Sequence, residues 1–169
     1  FLDNKRVVTA TAGDCQSLLS RGKEKVDLQK RIHQLQDLNE VERVQKAGLT
    51  VSGNPPRING ELAVSRGFGD FRYKLQGDPL LPPNEQPVNV FPEITINERS
   101  ENDEFILIGS DGIFEVFTSD TIREKVSNSI KSGMGYLSVL ESLLDDCICP
   151  IGENNVIGKD NMSAILIML

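Results

Sequence analysis

FILIGSDGIF, residues 105–114, carries four large apolar residues that stop at Gly109-Ser110-Asp111-Gly112 before apolar residues resume. The continuous apolar run predicts a buried strand over 104–109, and the Gly-Ser-Asp-Gly string predicts its end. A carboxylate at the mouth of such a strand costs solvation unless something compensates it. Asp111 therefore needs an explanation as much as the strand does.

The elements around this strand set the fold class. Downstream, Thr118-Ser119-Asp120 predicts the cap of a helix running to about Lys131, with Ile122, Val126 and Ile130 at helical spacing and Gly133 closing it. Residues 135–147 repeat an amphipathic pattern through Leu137, Leu140 and Leu144. Residues 154–159 read as a loop and 163–169 as a closing strand.

Upstream, residues 5–12 read as a strand ending at Gly13-Asp14, and 16–19 with 25–28 as a hairpin turning at Arg21-Gly22-Lys23. Asp37-Leu38-Asn39-Glu40 has capping-box spacing before a helix that ends near Gly48. Residues 52–60 form a loop by composition, 61–70 a short helical turn leading into a loop, and 88–91 and 94–97 short strands. Residues 76–87, with four of the eight prolines, are expected to be irregular. Strands gather at both ends without βαβ alternation, so the class is α+β.

The chain has 169 residues, enough for one domain, and 38% are hydrophobic. A formal charge of −7 speaks against nucleic acid or an anionic membrane as partner. No run approaches a membrane span. Three cysteines give no disulfide framework and favour a reducing, cytoplasmic or nuclear setting. The single histidine, His33, excludes a His-rich zinc site.

Three places repeat one design, strand material followed by a glycine or turn residue and an aspartate: Gly13-Asp14, Ser110-Asp111-Gly112 and Lys159-Asp160-Asn161. Singly, each aspartate reads as a turn or cap residue. Brought together, the three would repel one another unless a hard divalent cation joined them. Mg²⁺ or Mn²⁺ suits carboxylate ligands, and two such ions about 3.5–4 Å apart can activate a water against a phosphoryl group.

Longer strings carry a resemblance. ELAVSRGFGDFRYK (61–74), FILIGSDGIFEVF (105–117) and GKDNMSAILIML (158–169) resemble the type 2C metal-dependent Ser/Thr protein phosphatases. VVTATAGDCQSLL (7–19) is similar to that family's strand–Gly-Asp-Ser–strand motif, and His33 followed by Arg43-Val44 and Ala47-Gly48 to its helix segment. The matches fall in the family's order. The resemblance implies a β-sandwich of two antiparallel sheets flanked by helices, in α-β-β-α layers. It further implies residues 1–169 as the C-terminal portion of one catalytic domain whose N-terminal half is absent, because that half's Asp-Gly-His-Gly motif does not occur here.

On this resemblance Asp111 and Asp160 bind the two core ions, Mg²⁺ or Mn²⁺, and Asp14 a weaker third ion shared with Asp111. Glu115, Asn161 and Gly112 stand beside these ligands, and no residue of this chain is catalytic beyond the ligands. The implied activity is hydrolysis of phosphoserine and phosphothreonine in proteins by a metal-activated water, with a phosphoprotein substrate and the missing N-terminal half as partners. By itself the chain is expected to be poorly stable and inactive, since half a sandwich leaves strand edges open.

Departures from the family pattern bear on the third-ion site and on His33. Glu115 stands where Asp is usual, Phe114 for Trp, Cys15 for Ser, Gly67-Phe68 for Ala-Leu, Arg72 for Asp, and Ile32 precedes His33 in place of Asp. His33 is accordingly read as structural. Arg66 reads as an ion-paired loop anchor, with phosphate contact as the alternative. Of Cys147 and Cys149, one is expected packed and one exposed. Two other readings stay open: a non-catalytic phosphatase-like interaction module, and an unrelated α+β binding domain.

Overall fold

A computed structural model describes residues 1–76, 78, 80–150 and 157–169. The strands are β1 (Arg6–Thr11), β2 (Gln16–Arg21), β3 (Glu24–Asp27), β4 (Val51–Ser52), β5 (Arg57–Ile58), β6 (Glu93–Glu98), β7 (Asp103–Gly109) and β8 (Ala164–Met168). The helices are α1 (Leu38–Lys46), α2 (Phe71–Lys74), α3 (Asp111–Phe114), α4 (Ser119–Lys131) and α5 (Tyr136–Cys147). Mixed helix and antiparallel sheet make the class α+β. The chain divides into two compact units, residues 1–9, 15–30 and 95–169 in the first and residues 10–14 and 31–94 in the second.

In the first unit β7 is an interior strand of a four-stranded sheet ordered β3-β2-β7-β8. Leu18 faces Leu107 and Leu19 faces Ile106 across β2 and β7, while Ile106 faces Ile167 across β7 and β8. Successive side chains take opposite faces. Leu18, Phe105 and Leu107 therefore pack with Ile113 of α3, Ile122 and Val126 of α4, and Val139, Leu143 and Cys147 of α5. Leu19 and Ile106 pack on the other face with Val7 of β1 and Leu28. Both faces are covered over Phe105–Leu107, which is why that stretch reads as an unbroken apolar run. Each fully buried Leu or Phe contributes about 1.5–3 kcal/mol.

β1 pairs with β6 in a separate two-stranded sheet, and within the first unit helices cover one face of the four-stranded sheet while Val7 packs on the other. The second face closes at one end only: Ile108 and its β8 partner Ile165, on the same face as Ile106, remain 37% and 58% exposed. β8 is an edge strand. Helix α4 starts as expected, with Thr118 Oγ1 accepting from the Thr121 amide.

In the second unit Leu35, Val44, Ile58, Tyr73 and Val88 form the core. Asp37 caps α1 by accepting from the Asn39 amide. Several expectations change here. Glu40 does not close a capping box: its carboxylate is buried and takes Arg43, Ser65 and Arg66 instead. The loop at 52–60 contains the β4–β5 ladder. Residues 61–70 are not helical, because Leu62, Val64 and Arg66 make isolated strand bridges, and the helical turn comes later as α2. Residues 88–91 form no strand beyond the Asn89 bridge to Arg66. The loop expected at 154–159 lies outside the described residues over 154–156, as do Gly77 and Pro79 of the proline-rich segment.

Candidate metal centre

The apolar strand β7 ends at Gly109, Ser110 extends the backbone, and Asp111 opens the four-residue α3. On the neighbouring edge, Asp160 lies just before β8. The two segments are stitched together by Ser110, whose amide donates to the Ser163 carbonyl at 3.0 Å and whose hydroxyl accepts from the Ser163 amide at 3.1 Å. Gly112 permits the approach: a methyl there would stand 2.7 Å from the Asn161 carbonyl oxygen and 3.4 Å from Asp160 Cβ. Asp111-Gly112 and Asp160-Asn161, remote in sequence, thus share one place in the fold.

Their carboxylates are turned in the same manner. Asp111 Oδ1 accepts from the Gly112 amide at 2.9 Å, and Asp160 Oδ1 from the Asn161 amide at 2.7 Å. Among the described residues no basic side chain pairs with either aspartate. Glu115 follows one helical turn after Asp111, exposed, its amide donating to the Asp111 carbonyl at 2.8 Å. The approach through Gly112 brings the two aspartates near each other, and carboxylate oxygens are the donors that a hard divalent ion takes. The fit is partial, since among the described residues no three His, Cys, Asp or Glu groups converge on one point.

Asp14 belongs to the second unit and is half-buried. It follows Gly13, whose φ of 109° excludes ordinary side chains and whose Cβ direction is closed by the Arg66 carbonyl at 3.2 Å. His33 holds Gly13 from both sides. Its backbone amide donates to the Gly13 carbonyl at 2.9 Å, and its Nδ1 accepts from the Gly13 amide at 3.3 Å. The imidazole is fully buried, and its Nε2 has no hydrogen-bond partner among the described residues. Burial, reinforced by the Arg66 and Arg31 charges, pushes its pKa below the ordinary value. The ring is neutral, with its proton on Nε2.

Sequence reading missed the charge cluster behind Gly13. Glu40 accepts from Arg66 Nη2 at 2.5 Å, Arg43 Nη1 at 2.5 Å and Ser65 Oγ at 2.6 Å, with Arg31 at 3.9 Å. Burial drives its carboxyl up, but hydrogen bonds from Arg66, Ser65 and Arg43 prevail and hold its pKa at about 2. Arg66 is thereby an ion-paired anchor, and its Nη1 also donates to the Phe91 carbonyl at 2.9 Å. The i,i+3 pair Glu40–Arg43 on α1 was the available signal. Ser110 was missed as well, because it bridges strands instead of capping α3. Cys15 is exposed, Cys147 buried and Cys149 half-buried, and all three are free thiols.

The model of the family described as protein phosphatase 2C matches residues 1–156. Among known proteins, Protein phosphatase 2C homolog 2 of Aspergillus flavus is 34% identical over 172 residues, covering 99% of this chain and 38% of that protein. Probable protein phosphatase 2C 5 of Paramecium tetraurelia is 34% identical over 164 residues, covering 97% of this chain and 54% of that protein. Human Protein phosphatase 1G is 34% identical over 175 residues, covering 99% and 31%. The chain thus spans between about a third and a half of the length of these relatives. Among solved structures, a phosphatase from a pathogenic strain of Toxoplasma gondii superposes with a TM-score of 0.80 at 25% identity, covering 96% of this chain and 47% of that one. A C. elegans sex determining protein shares the fold, with a TM-score of 0.73 at 21% identity, covering 98% of this chain and 37% of that one. With its paired aspartates at strand ends and a family match across most of its length, the chain belongs to the protein phosphatase 2C family.

Proposed function

We propose that this chain supplies metal ligands to a phosphatase that hydrolyses phosphoserine and phosphothreonine in proteins. The observation that carries the reading is the meeting of Asp111 and Asp160 across Gly112, with no basic side chain paired to either among the described residues. Asp111 and Asp160 would hold two core Mg²⁺ or Mn²⁺ ions, and Asp14 a third. When bound, such ions neutralise phosphoryl charge and lower the pKa of a bound water. The chain's own residues orient the donors: the Gly112 and Asn161 amides fix one oxygen of each carboxylate, and Ser110 locks the two segments together. Glu115 sits one turn beyond Asp111, where its charge adds to the same neighbourhood.

The site is partial in this reading. Among the described residues two neighbouring aspartates fall short of a full ligand cage, and the open end of the sheet face at Ile108 and Ile165 would be covered by further strands. The N-terminal half of the domain is the partner that would supply both, and residues 1–169 alone would not turn over substrate. A cytoplasmic or nuclear setting accords with three free thiols, and no helix is long and apolar enough to cross a membrane among the described residues.

Mn²⁺-dependent hydrolysis of a phosphoserine peptide tests these statements. The intact protein should turn over and Asp111→Asn should not, while residues 1–169 alone should be inactive. Turnover by residues 1–169 matching that of the intact protein overturns the partial site. No turnover by the intact protein sinks the enzyme reading in favour of an interaction module.

A further inference from the structure

We propose that His33 is the positioning residue for Asp14, holding the Gly13 peptide so that the Asp14 carboxylate is presented in one direction. The inference rests on the reading of Asp14 as a metal ligand given above. It starts from an arrangement that packing alone does not require. One residue, twenty positions along the chain, makes hydrogen bonds to both polar groups of Gly13: amide to carbonyl at 2.9 Å, and Nδ1 from the amide at 3.3 Å.

The third side of Gly13 is closed by the Arg66 carbonyl, 3.2 Å from where a Cβ would stand. Arg66 is itself immobilised, its guanidinium on Glu40 and the Phe91 carbonyl, and the next amide, Gly67, on the Asn89 carbonyl. Gly13, at φ 109°, is the residue with the greatest freedom to swing its neighbour. Clamped by His33 and walled by Arg66, it loses that freedom, and the residue it would swing is Asp14.

The clamp also accounts for a cost. His33 is fully buried with an Nε2 that finds no partner among the described residues, and an unmet buried N–H costs about 1–3 kcal/mol. An apolar side chain would fill the space without that penalty, but it would leave the Gly13 amide without its acceptor. The feature that distinguishes histidine here is the acceptor at Nδ1. Partners that orient a metal ligand are worth about 10–100-fold in metal affinity when removed.

The test uses the geometry of isosteres. Asparagine places Oδ1 near the position of Nδ1, whereas glutamine carries its amide out to the position of Nε2. Wild type, His33→Asn, His33→Gln and Asp14→Asn of the intact protein are titrated with Mn²⁺ by calorimetry, and Gly13 amide exchange is followed by NMR. Asp14→Asn should weaken the weakest class of Mn²⁺ sites and leave the tighter classes alone. His33→Gln should weaken the same class by about 10–100-fold, and His33→Asn should restore it to within about threefold of wild type.

If Asp14→Asn weakens that class while His33→Gln and His33→Asn behave alike, His33 only fills space and the proposal is overturned. If Asp14→Asn changes no class, the metal reading of Asp14 is at fault instead. Should His33→Gln not fold, His33→Leu, which also lacks the acceptor, takes its place. If neither folds, the wild-type Gly13 amide decides: exchange as fast as in an unstructured peptide refutes the clamp, and strong protection sustains it.

Discussion

Two groups of carboxylates in this chain are treated in opposite ways. Glu40, 1% exposed at its side chain, is met by Arg43, Arg66 and Ser65 at hydrogen-bonding distance, and its pKa is held at about 2. Asp111 and Asp160 approach each other through Gly112, and among the described residues their carboxylates take only backbone amides as partners. The first carboxylate has every demand for positive charge answered by the protein. The second pair leaves that demand open. A saturated carboxylate is a structural device, whereas the open pair is where we propose that a cation binds.

The contrast is broken most forcefully at Glu40. Glu40→Gln strands buried arginines, and loss of one partner of a buried pair should cost about 3–5 kcal/mol, read as a lower urea midpoint. The number of Mn²⁺ ions bound by the folded variant should not change. A fall in that number would erase the distinction between the two sites.

Asp111→Asn and Asp160→Asn probe the other side. Each should cost at least about 100-fold in Mn²⁺ affinity, above the loss for an orienting partner, with little change in the urea midpoint. Calorimetric titration and denaturation on the same samples decide this. Destabilisation without loss of affinity would make these aspartates turn residues.

Gly112→Ala sharpens the comparison by perturbing the approach alone. Its methyl would meet the Asn161 carbonyl at 2.7 Å, so the β7–α3 and pre-β8 segments must part. About 1–3 kcal/mol of overpacking is expected, with about a tenfold loss of Mn²⁺ affinity. Unchanged affinity by calorimetry would mean that the two aspartates do not act together.

The gentlest probe is pH. His33 and Glu40 both titrate below their ordinary values of 6.5 and 4.5 in the fold. The unfolded chain therefore takes up protons first as pH falls, and stability must decline on acidification. The decline should begin below about pH 6.5 through His33 and steepen between about 4.5 and 2 through Glu40. His33→Asn should flatten the upper portion only, as measured by urea midpoints across pH 4–8.

Much of the first unit was legible along the chain, for local reasons. The run Phe105–Leu107 is apolar because β7 is covered there on both faces, and Thr118 and Gly133 punctuate α4 as their backbone chemistry requires. The second unit was less legible. Its residues 61–70 and 88–91 are joined by isolated bridges, which leave no periodic trace, so a helical turn and a strand were expected where neither forms. Glu40 looked like a capping-box residue because spacing on α1 is local, while Ser65 and Arg66 reach it from a distant loop.

By itself the sequence determined the α+β class, the family and the three aspartates worth asking about, since each rests on short strings whose chemistry is local. Only the tertiary structure decided that Asp111 and Asp160 stand together, that Glu40 is satisfied, and that His33 grips Gly13. The first of those outcomes depends on the β7–β8 register and on the absence of a side chain at Gly112, the other two on loops that reach Glu40 and Gly13 from afar. Convergence of residues distant in sequence is a property of packing, and no spacing along the chain encodes it.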